Sequence, residues 1–201
     1  MISSIASTAS VQARSSLGMD RASRSGIWVG IFAITMSFVA FTSALFVRQG
    51  TTDWGHLILP SVLYVNTVVL LFSSATFEIS RRTLFTGQMI QPGTARRGIG
   101  WLMLTLVLGL AFCLGQYLAW QNLRAQGIYL ATNPNSSFFY VLTSIHVLHL
   151  LAGIVALVRL IGCLIASHAT FRRSLFDNTA IYWHFLGVLW VYLLLLCRLK
   201  L

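Results

Sequence analysis

Residues 138–159, FFYVLTSIHVLHLLAGIVALVR, constrain the fold of this chain more than any other stretch. The run carries no charge before Arg159. It is long enough to cross a bilayer once, which takes roughly 20 helical residues. In hydrocarbon the backbone must satisfy its own hydrogen bonds, so a spanning run of this kind is a helix. Thr143, His146, His149 and Gly153 recur within it at spacings of three and four and share one helical face. Polar groups at membrane depth are costly, which turns that face toward protein.

Four further runs resemble it. Spans are expected at about 27–47, 57–77, 99–120, 138–165 and 178–197. Only 9% of the residues are charged and 57% are hydrophobic, with a mean hydropathy of +0.78. A soluble domain carries roughly a quarter charged residues. The fold class is therefore all-α, an integral membrane bundle of five transmembrane helices. The net charge of +10 does not point to nucleic acid, because the basic residues fall in short clusters between apolar runs rather than in a patch with interleaved aromatics. Placing the N-terminus in the cytoplasm puts Arg14, Arg21, Arg24, Arg81, Arg82, Arg96, Arg97, Arg159, Arg172 and Arg173 inside. Arg48, Arg124, Arg198 and Lys200 then lie outside, as does the C-terminus.

Residues 1–26 are rich in Ser, Ala and Thr and read as a disordered cytoplasmic tail ahead of a transmembrane domain at 27–201. They lack the compact basic start and adjoining apolar core of a secretory signal, although their composition also resembles an organelle transit peptide. Asp53-Trp54-Gly55-His56 introduces span 2, Pro60 falls in its first turn, and Glu78 ends it. Ile79–Gln88 reads as a short surface helix, followed by a turn from Gly87 to Gly93. Asn133-Pro134-Asn135 is a second turn. Trp101 and Trp120 are placed as interfacial anchors of span 3. Span 4 is longer than a bilayer needs, so it tilts or projects.

Three histidines are candidates for chemistry. Paired histidines on facing helices hold b-type haem in some membrane proteins. Here His149 lies about 15 Å above Arg159, and His184 about 9 Å above Asn178, at 1.5 Å per residue. Those levels overlap poorly. His146 and His149 could both reach one metal ion, but no Asp, Glu or Cys at the same depth completes a shell. Asp20, Asp53, Glu78 and Asp177 all lie in tails or at edges, so the intramembrane acids of a proton relay are missing. Cys113, Cys163 and Cys197 sit inside apolar runs without metal-like spacing and read as packing residues. No catalytic, cofactor-binding or metal residue emerges. The polar residues that do stand out are Asn66, Thr67, Ser73 and Ser74 in span 2 and Gln116 in span 3. Thr143, His146 and His149 stand out in span 4, and Trp183 and His184 in span 5. They are expected to serve helix packing or contact with a partner or lipid, the histidines through hydrogen bonds to neighbouring helices. His146→Leu is accordingly expected to weaken assembly with a partner.

Taken in order, these motifs resemble subunit III of the haem-copper terminal oxidases. Leu63-Tyr64-Val65-Asn66-Thr67, followed by Leu70-Leu71-Phe72-Ser73-Ser74 and Thr76, is similar to one family stretch. Trp101-Leu102, Thr105, Leu108-Gly109, Phe112 and Gln116 are similar to the next helix. Phe139-Tyr140-Val141-Leu142-Thr143 with His146, His149 and Gly153 resembles the most recognisable motif. Tyr182-Trp183-His184-Phe185 with Trp190 resembles the closing signature. Five spans rather than seven imply a short bacterial form without the family's first two helices.

The resemblance implies a non-catalytic subunit of a cytochrome c or quinol oxidase complex in the cell's inner membrane, active in aerobic respiration. In the family this subunit binds no haem and no copper. Those groups are expected in the partner catalytic subunits. It packs beside catalytic subunit I and other oxidase subunits, supports proton uptake and sustained turnover, and holds membrane lipid, so bound phospholipid is implied. Where the family commonly has acids, this chain has Ile34, Ala119 and Gly187. That departure argues that protons are not conducted through this subunit. Alternatives are the accessory protein of nitric oxide reductases from the same superfamily and an independent haem-binding electron carrier. A small transporter is a third, opposed by the lack of repeats, broken helices and internal acids.

Overall fold

The computed structural model describes residues 2–50, 60–85, 92–130, 133–166 and 173–200, with side chains from residue 24 onward and, in the third helix, from residue 94. These residues form five helices: α1 (Ile2–Arg48), α2 (Val62–Phe85), α3 (Pro92–Ala125), α4 (Pro134–Ala166) and α5 (Arg173–Lys200). All five contain segments long and apolar enough to cross a membrane, the one in α1 being Arg24–Arg48. At 1.5 Å per residue, the 24 residues of α2 reach about 36 Å and the 33 of α4 about 50 Å. Both exceed a ~30 Å hydrocarbon layer.

The helices start and stop differently from the apolar runs. Residues 2–26, expected as a disordered tail, are helical and continuous with the first span. The segment holds no proline, and Ala, Arg, Met and Leu extend a helix that the apolar span has already nucleated. Helix α2 begins at Val62 and runs through Glu78 to Phe85, so 79–85 are its last turns and not a separate surface helix. Glu78 pairs with Arg81 at 2.7 Å and Arg82 at 3.1 Å. These pairs at three and four residues let the helix leave the apolar layer without a break. Asp53–His56 and residues 87–91 of the expected turn lie outside the described residues.

Helix α3 ends in a Schellman arrangement. The Gly127 amide donates to Arg124 O (2.9 Å), the Ile128 amide donates to Leu123 O (3.0 Å), and Gly127 has φ +76°. Asn133-Pro134-Asn135, read as a turn, is the start of α4. Pro134 takes the first helical position, where its missing donor costs little. The Asn133 amide donates to Ser136 Oγ, and Ser136 Oγ donates to Tyr129 O. Tyr140 O–H donates to Ile128 O (3.0 Å) and ties the connection to α4.

Helices α2 and α3 form the closest pair. Asn66 lies flat on Gly115, and a Cβ there would sit 2.7 Å from Asn66 Cγ. Helix α5 packs on α1, α2 and α4. Its Trp183, 1% exposed, fills the junction of α2 to α5: Cβ atoms added to Gly109 on α3 or Gly153 on α4 would meet its ring at 2.9 and 3.5 Å. Small residues at these places allow the helices to approach a large aromatic.

Candidate functional site

The buried polar side chains form a seam joining the helices. Asn66 Nδ2 donates to Phe112 O (3.2 Å). Ser73 Oγ donates to Thr105 O (3.3 Å), and Thr76 and Thr105 hydroxyls lie 2.9 Å apart. Ser80 Oγ donates to Gly98 O (2.8 Å). Together these four contacts run the length of the α2–α3 contact. Two indoles of α5 close the seam from the third side. Trp183 Nε1 donates to Ser73 Oγ (3.2 Å) and Trp190 Nε1 donates to Thr67 Oγ1 (3.0 Å). Positions 183 and 190 are seven residues apart and share a face. On the far side Trp120 Nε1 donates to Thr143 Oγ1 (3.1 Å), linking α3 to α4. Trp120 therefore bonds inward and is not simply an interfacial anchor. Ser74 is half-buried, with its Oγ 3.2 Å from where a Cβ of Gly187 would sit.

The histidines behave differently from the hydrogen-bonding role expected of them. His146 is fully buried against the rings of Phe112 (5.9 Å) and Trp190 (5.1 Å), and neither ring nitrogen has a partner. Within this aromatic enclosure no group among the described residues is hydrogen-bonded to the imidazole. His149 Nδ1 lies 2.7 Å from Ile145 O on its own helix, while Tyr182 O–H donates to the His149 carbonyl (3.1 Å). His184 packs edge-on to Phe77 at 6.0 Å. Gln116 is also fully buried without a partner. It stands one turn from Phe112 and one turn from Trp120, between the level of His146 and that of Thr143. Among the described residues no group of three His, Cys, Asp or Glu side chains is arranged to hold a metal.

At the end of the bundle where α2 finishes and α5 begins lies a second polar place. A cavity of about 350 Å³ is lined by Arg24, Glu78, Arg81, Arg173, Asp177 and His184, with Ala180 and Ile181 as apolar wall. Sequence reasoning treated Glu78 as a plain interfacial charge beside Arg81 and Arg82 at helical spacing. It missed this grouping because the three helices that supply it are far apart in the chain. The cross-helix hydrogen bonds of Trp120 and Trp190 were missed for the same reason, although the i, i+7 spacing of Trp183 and Trp190 is visible in the sequence.

The chain matches the family model described as cytochrome c oxidase subunit III over residues 4–199. It is 35% identical to cytochrome c oxidase subunit 3 of Paracentrotus lividus over 64% of this chain and 46% of that protein. It is 30% identical to cytochrome c oxidase subunit 3 of Corynebacterium diphtheriae over 68% of this chain and 63% of that protein. To quinol oxidase subunit 3 of Bacillus spizizenii it is 28% identical, over 84% and 82% respectively. The chain thus spans about half the length of some curated relatives and most of others. With Asn66, Thr67, Ser73, Trp183 and Trp190 among the signature residues meeting along one seam and a family match over nearly the whole sequence, this multi-pass membrane chain belongs to the cytochrome c oxidase subunit III family.

Proposed function

We propose that the chain is the accessory subunit III of a haem-copper terminal oxidase in a bacterial plasma membrane, with its N-terminus in the cytoplasm. Its role is to pack beside catalytic subunit I and other oxidase subunits, hold phospholipid, and support assembly and sustained turnover. Haem and copper, and the oxidation of cytochrome c or quinol, belong to the partners; this chain has no catalytic residue of its own. The observation that carries the reading is the family match over residues 4–199. The polar seam supports it, because its hydrogen bonds are spent between helices, which suits a rigid scaffold. Asn66, Thr67, Ser73, Ser74, Gln116, Thr143, His146 and Trp183 serve packing in this reading. His149 and His184, only half-buried, remain for contact with lipid or a partner. The oxidase names of the relatives favour this over a nitric oxide reductase accessory protein.

The test is extraction in mild detergent through a tag on this chain. Haem-containing partner subunits should co-purify, and the isolated chain should show no Soret band. A Soret band retained by the chain alone would overturn the scaffold reading in favour of a haem carrier.

A further inference from the structure

We propose that the cavity lined by α1, α2 and α5 holds the headgroup of an ethanolamine phospholipid. This deepens the lipid-binding part of the proposed function and rests on it. Helices α1 and α2 each pack on other helices of the bundle but, among the described residues, not on one another. The cavity of about 350 Å³ sits at the mouth of the gap they leave, with Ala180 and Ile181 of α5 in its wall. Its depth is that of a lipid headgroup. Arg24 and Arg173 open the apolar segments of α1 and α5, and Glu78 and Arg81 lie in the last two turns of α2.

The charges in this cavity are unevenly satisfied. Glu78 is closed off, taking two 2.7 Å bonds from Arg81 and one of 3.1 Å from Arg82. Arg173 and Asp177 stand 3.9 Å apart, beyond hydrogen-bond length, with both side chains substantially exposed. Arg173 is held over the Phe85 ring at 4.9 Å, and Arg24 brings a second guanidinium from α1. What the cavity offers is two guanidinium forks and a carboxylate. The complement is an anion and an N–H-bearing cation a few ångströms apart on one molecule. A phosphoethanolamine headgroup has both: its phosphodiester accepts from Arg24 and Arg173, and its ammonium donates to Asp177. A choline headgroup carries the same charges without an N–H donor. A glycerol headgroup can donate hydroxyls to Asp177 but carries no cation, so the carboxylate faces the phosphate's like charge without an ammonium to offset it. Apolar residues lead from the cavity into the membrane layer. Trp28 and Phe32 lie four and eight residues beyond Arg24, 58% and 62% exposed, and Val188 lies seven beyond Ile181, 70% exposed.

The experiment is native mass spectrometry of the tagged chain with its co-purifying partners, released from nanodiscs. The nanodiscs contain equal amounts of phosphatidylethanolamine, phosphatidylcholine and phosphatidylglycerol with identical acyl chains. Phosphatidylethanolamine should be retained about threefold or more over the other two, the size of one partly exposed charge-assisted contact. Asp177→Asn should bring ethanolamine and choline lipids to parity. Arg173→Gln should lower retention of all three about threefold. Equal retention by the wild type, or an unchanged preference in Asp177→Asn, would overturn the proposal. So would an Arg173→Gln variant that sheds partner chains while its lipid stays, since the occupant would then be protein. Displacement by soluble phosphoethanolamine would assign the cavity to a free metabolite instead. Ethanolamine-lipid enrichment on a chain that arrives without haem-containing partners supports the cavity and sinks the oxidase reading. Partners without enrichment do the reverse.

Discussion

Gly115→Ala tests the closest approach in the bundle. The Asn66 amide occupies the place where an alanine methyl would go, with Cγ at 2.7 Å and Nδ2 at 2.8 Å from that methyl. These distances lie well inside van der Waals contact, and Asn66 is 4% exposed with little room to retreat. Two costs follow. Overpacking a tight contact costs about 1–3 kcal/mol. Turning the amide away also breaks the Asn66 Nδ2 bond to Phe112 O, worth about 0.6 kcal/mol on average between membrane helices. Set against a helix-propensity gain of up to about 1 kcal/mol, the expected net loss is about 1–2.5 kcal/mol. Gly162 is the internal control, because nothing lies within 4 Å of its would-be Cβ. Gly162→Ala should stabilise by up to about 1 kcal/mol through helix propensity alone. The assay is reversible unfolding in SDS–detergent mixtures, followed by tryptophan fluorescence. Asn66→Ala combined with Gly115→Ala removes the obstruction, so the double mutant should be more stable than the sum of the singles by at least about 1 kcal/mol. A Gly115→Ala variant within about 0.5 kcal/mol of wild type, or a strictly additive cycle, would refute the close approach.

Three further outcomes are expected in the same assay. Trp190→Phe loses the bond to Thr67 Oγ1 and should destabilise by about 1–2 kcal/mol. Trp183→Phe should cost about as much, because the lost indole contact is to Ser73, which still donates to Thr105 O. His146→Leu should be neutral or stabilising in the isolated chain, since it removes two buried nitrogens without partners and puts an apolar group among aromatic rings. A loss above about 2 kcal/mol would show that the imidazole is bonded. Tyr140→Phe should speed amide exchange at residues 128–130 measurably, by releasing the Ile128 carbonyl from α4.

Helix class and number were legible because hydrocarbon admits few backbone solutions, and runs as apolar as 138–159 announce themselves by length. The limits of the helices were less legible. Glu78 looked like an end because charge marks the edge of a span. Its pairing with Arg81 and Arg82 instead carries α2 two turns further. Pro134 looked like a turn because proline breaks helices, yet at the first position it begins one. The face bearing Thr143, His146, His149 and Gly153 was turned inward by its polarity and spacing; Thr143, His146 and Gly153 are buried, while His149 is half-buried. What each residue of that face meets was not written in its spacing.

The sequence by itself determined that the chain is a bundle of membrane-length helices, which residues are too polar to face lipid, and which family its motifs resemble. These follow from local composition and period, which act over one helix at a time. Only the tertiary structure decided the pairings. It put Asn66 on Gly115, Trp183 on Ser73, and His146 among rings without a hydrogen bond. It also drew Arg24, Glu78 and Asp177 around one cavity. Those choices depend on how helices distant in sequence rotate and approach, and helical period fixes a face without naming the residue across from it.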